Sequence, residues 1–218
     1  METIFKRYEK KYILTSFQYI QLKNTLKGRI VQDEFGQYIV RNLYYDTHDY
    51  ALIRHSLSHP TFKEKLRLRK YENYPYQFIE LKKKFEGVVY KRRMLVQDPD
   101  FQIKEEINHF IQTTAAAPKV ALSYDREAFV CAKDRDLRIT FDRNVRFQTQ
   151  FLDFLPHDNE RFLFDEPRII MEIKTKDAIP YWLAGTLSDL DIFPCSCSKY
   201  GMIYENFLQK EDVCSTVY

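Results

Sequence analysis

The chain has 218 residues with 16% aromatic and 30% charged side chains, enough for one large globular domain with a real core. A net charge of +3 gives no global argument for nucleic acid, so what matters is where the cations cluster. No apolar run is long enough to cross a bilayer, and the N-terminal Met1-Glu2-Thr3-Ile4-Phe5-Lys6-Arg7 lacks a signal-peptide core.

Residues 4–14 read as a first strand, with Arg7, Glu9 and Lys11 on one face and Tyr8 and Tyr12 on the other. Thr15-Ser16 reads as a helix cap. A short amphipathic helix is expected over 17–27, with Phe17, Ile20, Leu22 and Leu26 as its apolar residues. A second strand is predicted over 37–45, ending in Tyr44-Tyr45-Asp46-Thr47, and Asp49 opens a short helix carrying Tyr50, Leu52 and Ile53.

The strand at 62–72 contains Lys65-Leu66-Arg67-Leu68-Arg69, a strict alternation of cationic and apolar side chains. Alternate residues of a strand point to opposite faces, so Lys65, Arg67 and Arg69 share one face and Leu66 and Leu68 the other. The leucine face demands burial. The cationic face looks into solvent or into an interior that holds an anion. Asn73-Tyr74-Pro75 marks a turn.

Residues 76–84 form the next strand, with Ile79 and Leu81 opposite Phe78, Glu80, Lys82 and Lys84. Phe85-Glu86-Gly87 turns the chain, and 88–96 pairs back as a hairpin. Here Val89, Lys91 and Arg93 oppose Tyr90, Arg92 and Met94, and alternation alone leaves both faces partly charged.

A helix is expected over 98–112, then a small-residue connector and a strand over 119–132 containing Tyr124-Asp125-Arg126-Glu127-Ala128-Phe129. In the strand at 136–145, Leu137, Ile139 and Phe141 oppose Arg138, Thr140 and Asp142. Residues 146–158 are less regular. The strand at 168–175 sets Ile169, Met171 and Ile173 against Glu172 and Lys174. A helix near 180–190 follows, and Ser198-Lys199-Tyr200 leads into a C-terminal helix.

Strands with one charged and one apolar face build most simply into a closed or nearly closed sheet with a charged lumen. A basic lumen calls for a polyanion, with phosphate chains the obvious candidates. The expected architecture is α+β: one domain spanning 1–218, an antiparallel eight-stranded β tunnel barrel with helices packed outside.

Other chemistries find little support. Cys195-Ser196-Cys197 is a C-x-C without a second pair, so Cys131, Cys195, Cys197 and Cys214 read as reduced cytoplasmic thiols. The five histidines show no metal spacing. No glycine-rich phosphate loop is present, so any phosphate must be held by side chains. Nucleic acid is not an expected partner, because the cations sit opposite leucines rather than among base-stacking aromatics.

In order, the chain carries a first strand ending in Lys11-Tyr12, Tyr44-Tyr45-Asp46-Thr47, Leu66-Arg67-Leu68-Arg69, Glu80-Leu81-Lys82, Tyr90-Lys91-Arg92-Arg93, Tyr124-Asp125-Arg126, Leu137-Arg138-Ile139-Thr140-Phe141-Asp142, Met171-Glu172-Ile173-Lys174 and Ser198-Lys199-Tyr200. Each motif alone is weak; their order is specific. From about residue 4 to about residue 205 the chain resembles the VTC (vacuolar transporter chaperone, polyphosphate polymerase) domain of the CYTH or triphosphate tunnel superfamily.

The resemblance implies a tunnel whose lumen holds tri- or polyphosphate, and polymerisation of polyphosphate from ATP with Mn²⁺ or Mg²⁺. It marks Lys11, Arg67, Arg69, Lys82, Lys91, Arg126, Arg138 and Lys199 as phosphate ligands and Glu172 as the metal ligand. Tyr124 and Ser198 are further phosphate contacts. Arg93 and Lys174 join the candidate phosphate set, and Glu9 and Glu80 are secondary metal candidates. Arg67, Arg69, Lys82, Lys91, Arg138 and Glu172 are the residues expected to carry the reaction. The plain alternatives are a surface cationic stripe for Arg67 and Arg69, a salt bridge for Glu172, and structural pairing with Lys82 or Arg93 for Glu80.

One departure bears on the reaction. Tunnel hydrolases begin with E-x-E-x-K, whereas Arg7-Tyr8-Glu9-Lys10-Lys11 stands here. Fewer metal carboxylates fit a polymerase better than a hydrolase. No SPX regulatory domain or membrane anchor is visible, so a membrane partner is left open. A triphosphate hydrolase and a non-catalytic polyphosphate-binding module are the competing expectations.

Overall fold

The computed structural model describes residues 8–86 and 88–210. The expected strand residues 4–7, including Arg7, together with Gly87 of the hairpin turn and Cys214, lie outside the described residues.

The strands are β1 (Tyr8–Thr15), β2 (Ile30–Asp46), β3 (Phe62–Tyr71), β4 (Gln77–Phe85), β5 (Val88–Leu95), β6 (Ala117–Cys131), β7 (Arg138–Gln148), β8 (Arg161–Phe162) and β9 (Arg168–Thr175). The helices are α1 (Ser16–Thr25), α2 (Ala51–Leu57), α3 (Phe101–Thr114), α4 (Tyr181–Asp189) and α5 (Lys199–Ile203), the last running into a π-helical turn over Tyr204–Leu208. The sheet order is β1-β9-β7-β6-β2-β3-β4-β5, with β8 paired to β7. The fold is therefore α+β with a large antiparallel sheet. It exceeds the expected eight strands by the two-residue β8, too short to leave a period in the sequence.

The chain forms two compact units interleaved in sequence. The first comprises the described parts of Met1–Tyr38, Tyr124–Val145 and Phe164–Cys197; the second comprises Ile39–Ser123, Arg146–Leu163 and the described part of Ser198–Tyr218.

In the first unit, the apolar sheet face carries Tyr12 and Leu14 of β1, Phe129 of β6, Ile139 and Phe141 of β7, and Ile169, Met171 and Ile173 of β9. It is covered by Leu22 and Leu26 from α1 and its C-cap, and by Leu183 and Leu187 of α4. Burial of such side chains is worth about 1.5–3 kcal/mol each, so this face fixes which strand residues point the other way. Helix α1 starts at a capping box, in which Gln18 N donates to Thr15 Oγ1 (3.1 Å) and Thr15 N to Gln18 Oε1 (3.0 Å). Its expected apolar set is corrected in part. Phe17 and Ile20 are exposed, and the inward stripe is Tyr19, Leu22 and Leu26, spaced for one helix face.

In the second unit, Leu66 and Leu81 are fully buried beneath Ile107 and Phe110 of α3, with Ile79 and Met94 packed against them. The Leu66 and Leu68 face is thus the covered one, as the alternation predicts. Register assigns β5, which the sequence left open: Lys82 faces Lys91 and Glu80 faces Arg93, so Lys91 and Arg93 share the charged face.

Candidate functional site

On the charged face of the second unit, antiparallel register lines side chains into cross-strand rows. One row is Lys65–Lys82–Lys91. The next is Tyr44–Arg67–Glu80–Arg93, and a third is Asn42–Arg69–Phe78. Like charges directly opposite one another are unfavourable, so the lysine row needs compensation from its neighbours.

Glu80 supplies it. This carboxylate is buried, and Arg67 reaches Oε2 at 2.7 Å, Lys91 reaches Oε1 at 2.6 Å, and Arg69 and Arg93 stand at 3.7 and 3.6 Å. Burial alone would raise its pKa, but the charges of Arg67, Arg69 and Lys91 hold the carboxyl far below the ordinary range. The surroundings of Glu80 are cationic, which favours the structural pairing role over that of a metal ligand.

The arginines are fixed at both ends. Arg69 is buried and its Nε donates to Asn42 Oδ1 at 2.8 Å, while the Asn42 amide donates to the Leu122 carbonyl at 3.3 Å. Arg67 Nη1 donates to Tyr44 Oη at 2.8 Å. Burial would push the Tyr44 phenol up, but the charges of Arg67 and Arg69, the Arg67 hydrogen bond and Lys65 bring it down to about 8. Tyr44 in turn stacks on Tyr200, at 5.0 Å between ring centroids. Tyr200 donates to the buried Asp46 at 2.8 Å, and Asp46 also accepts from the backbone N–H groups of Thr47, Leu52 and Ile53.

This anchor sets the start of α5. Ser198 caps that helix by accepting from Gly201 N at 3.3 Å, and Lys65 Nζ lies 3.3 Å from the same hydroxyl. Lys199 is the first helical residue and is half-buried; Lys82 is exposed.

The charged face of the first unit is built differently. Its rows are Lys11–Glu172–Thr140 and Glu9–Lys174–Arg138, so acids and bases alternate. Lys174 Nζ lies 2.5 Å from Glu172 and 4.0 Å from Glu9, and Lys11 Nζ lies 3.2 Å from Glu9. Burial would raise the Glu172 carboxyl, but Lys174, Lys11 and Arg126 bring it down to about 2. For Lys11, Glu9 and Glu172 outweigh burial and raise the ammonium above its usual value. Arg126 forms a bidentate pair with the fully buried Asp142, at 2.6 and 2.8 Å, and lies over the Tyr124 ring at 5.1 Å. Arg138, at the end of the second row, is paired with Asp33 at 3.4 Å.

Among the described residues no cluster of three or more His, Cys, Asp or Glu could hold a metal alone. Magnesium-type ions need less than that, since they take one or two carboxylates and draw further oxygens from phosphates and water. Glu172 and Glu9 meet that requirement, and the buried Thr140 hydroxyl opposite Glu172 has no hydrogen-bond partner. The donor set therefore fits a divalent ion carried in on a phosphate, with Lys174 and Lys11 holding the carboxylates in its absence.

The structure thus gathers Arg67, Arg69, Lys91 and Arg93 around Glu80, and Lys11, Glu9, Lys174 and Glu172 around one another. Asn42 had no place among the residues singled out in the sequence, and Tyr44, Asp46 and Tyr200 stood there only as motif residues without a site role. Their signal was present, because residues 42, 44 and 46 alternate onto one strand face just as Lys65, Arg67 and Arg69 do. It was hidden because none of them is a cation.

No curated protein sequence matches the chain. The PH1819 protein from Pyrococcus horikoshii shares its fold at 14% identity and a TM-score of 0.52, over 92% of this chain and 99% of that one. A candidate adenylate cyclase from Vibrio parahaemolyticus does so at 11% identity and a TM-score of 0.51, over 93% and 99%. A candidate adenylyl cyclase from Hippeastrum, described as having a dominant triphosphatase activity, matches at 14% identity and a TM-score of 0.54, over 92% and 96%. These likenesses show a shared fold. Residues 6–208 match the VTC domain, and the chain belongs to that family.

Proposed function

We propose that the chain, acting as one functional domain over residues 1–218, is a polyphosphate polymerase that transfers the γ-phosphoryl group of ATP to a polyphosphate chain. A terminal oxygen of the chain attacks the γ-phosphorus, the bond to the β-phosphate breaks, and ADP leaves. Such transfer asks the protein for positioning and charge neutralisation rather than a covalent nucleophile. The closed basic tunnel expected from the family resemblance, and a cytoplasmic location, belong to the same proposal.

The observation that carries it is the array around Glu80. Arg67, Arg69, Lys91 and Arg93 are held in place by a single buried carboxylate, with the Lys65–Lys82–Lys91 row beside them. One carboxylate fixes the cations without cancelling them, and the remaining positive charge is available to phosphate oxygens. Arginine forks suit paired oxygens, and lysines act as point charges. Lys199 and Ser198, set by the Tyr200 anchor, are further phosphate contacts on this reading. Within the first unit, Lys11, Arg126, Arg138 and Lys174 are candidate contacts, and Tyr124 supports Arg126.

Glu172, with Glu9, would hold Mn²⁺ or Mg²⁺. When bound, such an ion supplies charge neutralisation on phosphate oxygens. Lys174 and Lys11 orient both carboxylates and keep that of Glu172 ionised.

Incubating the purified protein with ATP and Mn²⁺, and tracking polyphosphate and free phosphate together, tests the proposal. Polymer growth lost in both Arg67→Ala and Glu172→Ala is the expected result. Free phosphate without polymer would indicate a hydrolase. Neither product, with polyphosphate binding that survives Glu172→Ala, would indicate a non-catalytic binding module.

A further inference from the structure

The charged face of β3 and β4 changes chemistry along its length. From Lys63 and Lys84 it passes through the Lys65–Lys82 and Arg67–Glu80 rows to Arg69–Phe78. The same alternation places Tyr71 on this face, and Tyr74 and Tyr76 stand in the connection between β3 and β4. The cationic stretch thus ends in an aromatic group.

Those rings are organised. Tyr74 lies parallel to Phe78 (12° between planes, centroids 5.6 Å apart), Tyr76 meets Tyr74 edge-on at 5.3 Å, and Tyr71 meets Phe78 edge-on at 6.0 Å. The Arg93 guanidinium sits 3.7 Å over the Phe78 ring while its Nε faces Glu80 at 3.6 Å, so one side chain joins the phosphate-type cations to the aromatic group. Tyr74 and Tyr76 remain 40% and 45% exposed, although both belong to the packed cluster.

Ring faces beside a guanidinium suit a planar, electron-rich heterocycle, through stacking and cation–π contact. Four residues of strand separate Lys82 from Phe78, about 13 Å, a span comparable with an extended nucleoside triphosphate. An inorganic phosphate chain would gain nothing from the aromatic end.

We propose that Tyr74 and Tyr76, backed by Phe78 and Arg93, form a nucleobase platform that makes a nucleoside triphosphate, rather than inorganic triphosphate, the preferred ligand of this face. The inference rests on the phosphate-binding reading above and adds the base subsite to it.

The test is calorimetric titration of ATP and of inorganic tripolyphosphate into the wild-type protein, the Tyr74→Leu/Tyr76→Leu double variant and the Tyr74→Phe/Tyr76→Phe double variant. Leucine keeps apolar bulk in an exposed turn, and thermal unfolding checks that the fold is retained. The leucine pair is expected to weaken ATP binding about 5- to 150-fold, leave tripolyphosphate unchanged and so lower the affinity ratio of the two, whereas the phenylalanine pair keeps the wild-type ratio. An unchanged ratio in the leucine pair, with tripolyphosphate still bound, would overturn the platform alone. Failure of tripolyphosphate to bind the wild-type protein would overturn the phosphate reading and the platform with it.

Discussion

The two units present charged sheet faces of opposite design. In the second, Arg67, Arg69, Lys91 and Arg93 converge on the one carboxylate of Glu80, leaving a fixed positive excess. In the first, Glu9, Lys11, Glu172 and Lys174 alternate, and Arg126 is matched by Asp142. The same residue types are thus arranged differently: in one face a single carboxylate gathers four cations, in the other acids and bases balance in pairs. Burial is alike in both: Glu80 and Glu172 are largely sealed, while Lys91, Lys11 and Lys174 retain contact with solvent.

The largest expected effect comes from removing the Glu80 carboxylate. Glu80→Ala leaves buried Arg69 and its neighbours without a counter-charge, and such a loss costs about 3–5 kcal/mol in urea unfolding. In the balanced face, Glu172→Ala releases Lys174 and Lys11, which can turn to solvent, so a smaller loss of about 1–3 kcal/mol is expected. Equal losses would break the comparison.

Acid titration offers a second route. The Glu172 carboxyl is lowered from 4.5 to about 2 in the folded protein, so its contribution is complete above about pH 4.5 and lost as pH falls through about 2. Glu80 is lowered further, so its contribution persists to still lower pH. Unfolding curves of wild-type and Glu172→Gln should converge as pH falls through 4.5 towards 2, and a gap that widened there would contradict the assignment.

Tyr44 reports the positive excess directly. Its phenol, lowered from 10 to about 8 by Arg67, Arg69 and Lys65 against the effect of burial, should ionise near pH 8 by phenolate absorbance, a step missing in Tyr44→Phe. Because the folded value lies below the unfolded one, ionisation adds stability as pH rises from about 8 to 10. Filling the face with tripolyphosphate should move the midpoint upward; an unmoved midpoint would mean the anion binds elsewhere. The smallest effect, about 0–1 kcal/mol, is expected for Arg138→Ala, whose guanidinium is exposed and whose partner Asp33 keeps the Phe35 and Gly36 N–H groups.

Strand faces were legible wherever one side was purely apolar. Leu66 and Leu68 forced Lys65, Arg67 and Arg69 onto the opposite face, and Ile169, Met171 and Ile173 did the same for Glu172 and Lys174. The hairpin strand β5 was not legible, because Arg92 and Tyr90 make its other face polar as well, and only its register with β4 decides the matter. In α1, hydropathy alone selected Phe17 and Ile20, but the inward stripe is set by the position of the sheet beneath it. In the candidate site the cations were visible as charges, but Glu80 was visible only as a partner of Lys82 or Arg93. That Glu80 lies under Arg67, Arg69, Lys91 and Arg93 depends on pairing between strands, as does the path from Asp46 through Tyr200 to Tyr44.

The most direct test of the contrast between the two faces is a tripolyphosphate titration with and without Mn²⁺ on wild-type, Arg67→Ala and Glu172→Ala proteins. Arg67→Ala should weaken binding by about tenfold or more under both conditions. Glu172→Ala should bind as wild-type without Mn²⁺ and lose only the gain that Mn²⁺ brings. Wild-type affinity in Arg67→Ala, or an equal metal-free loss in both variants, would contradict it.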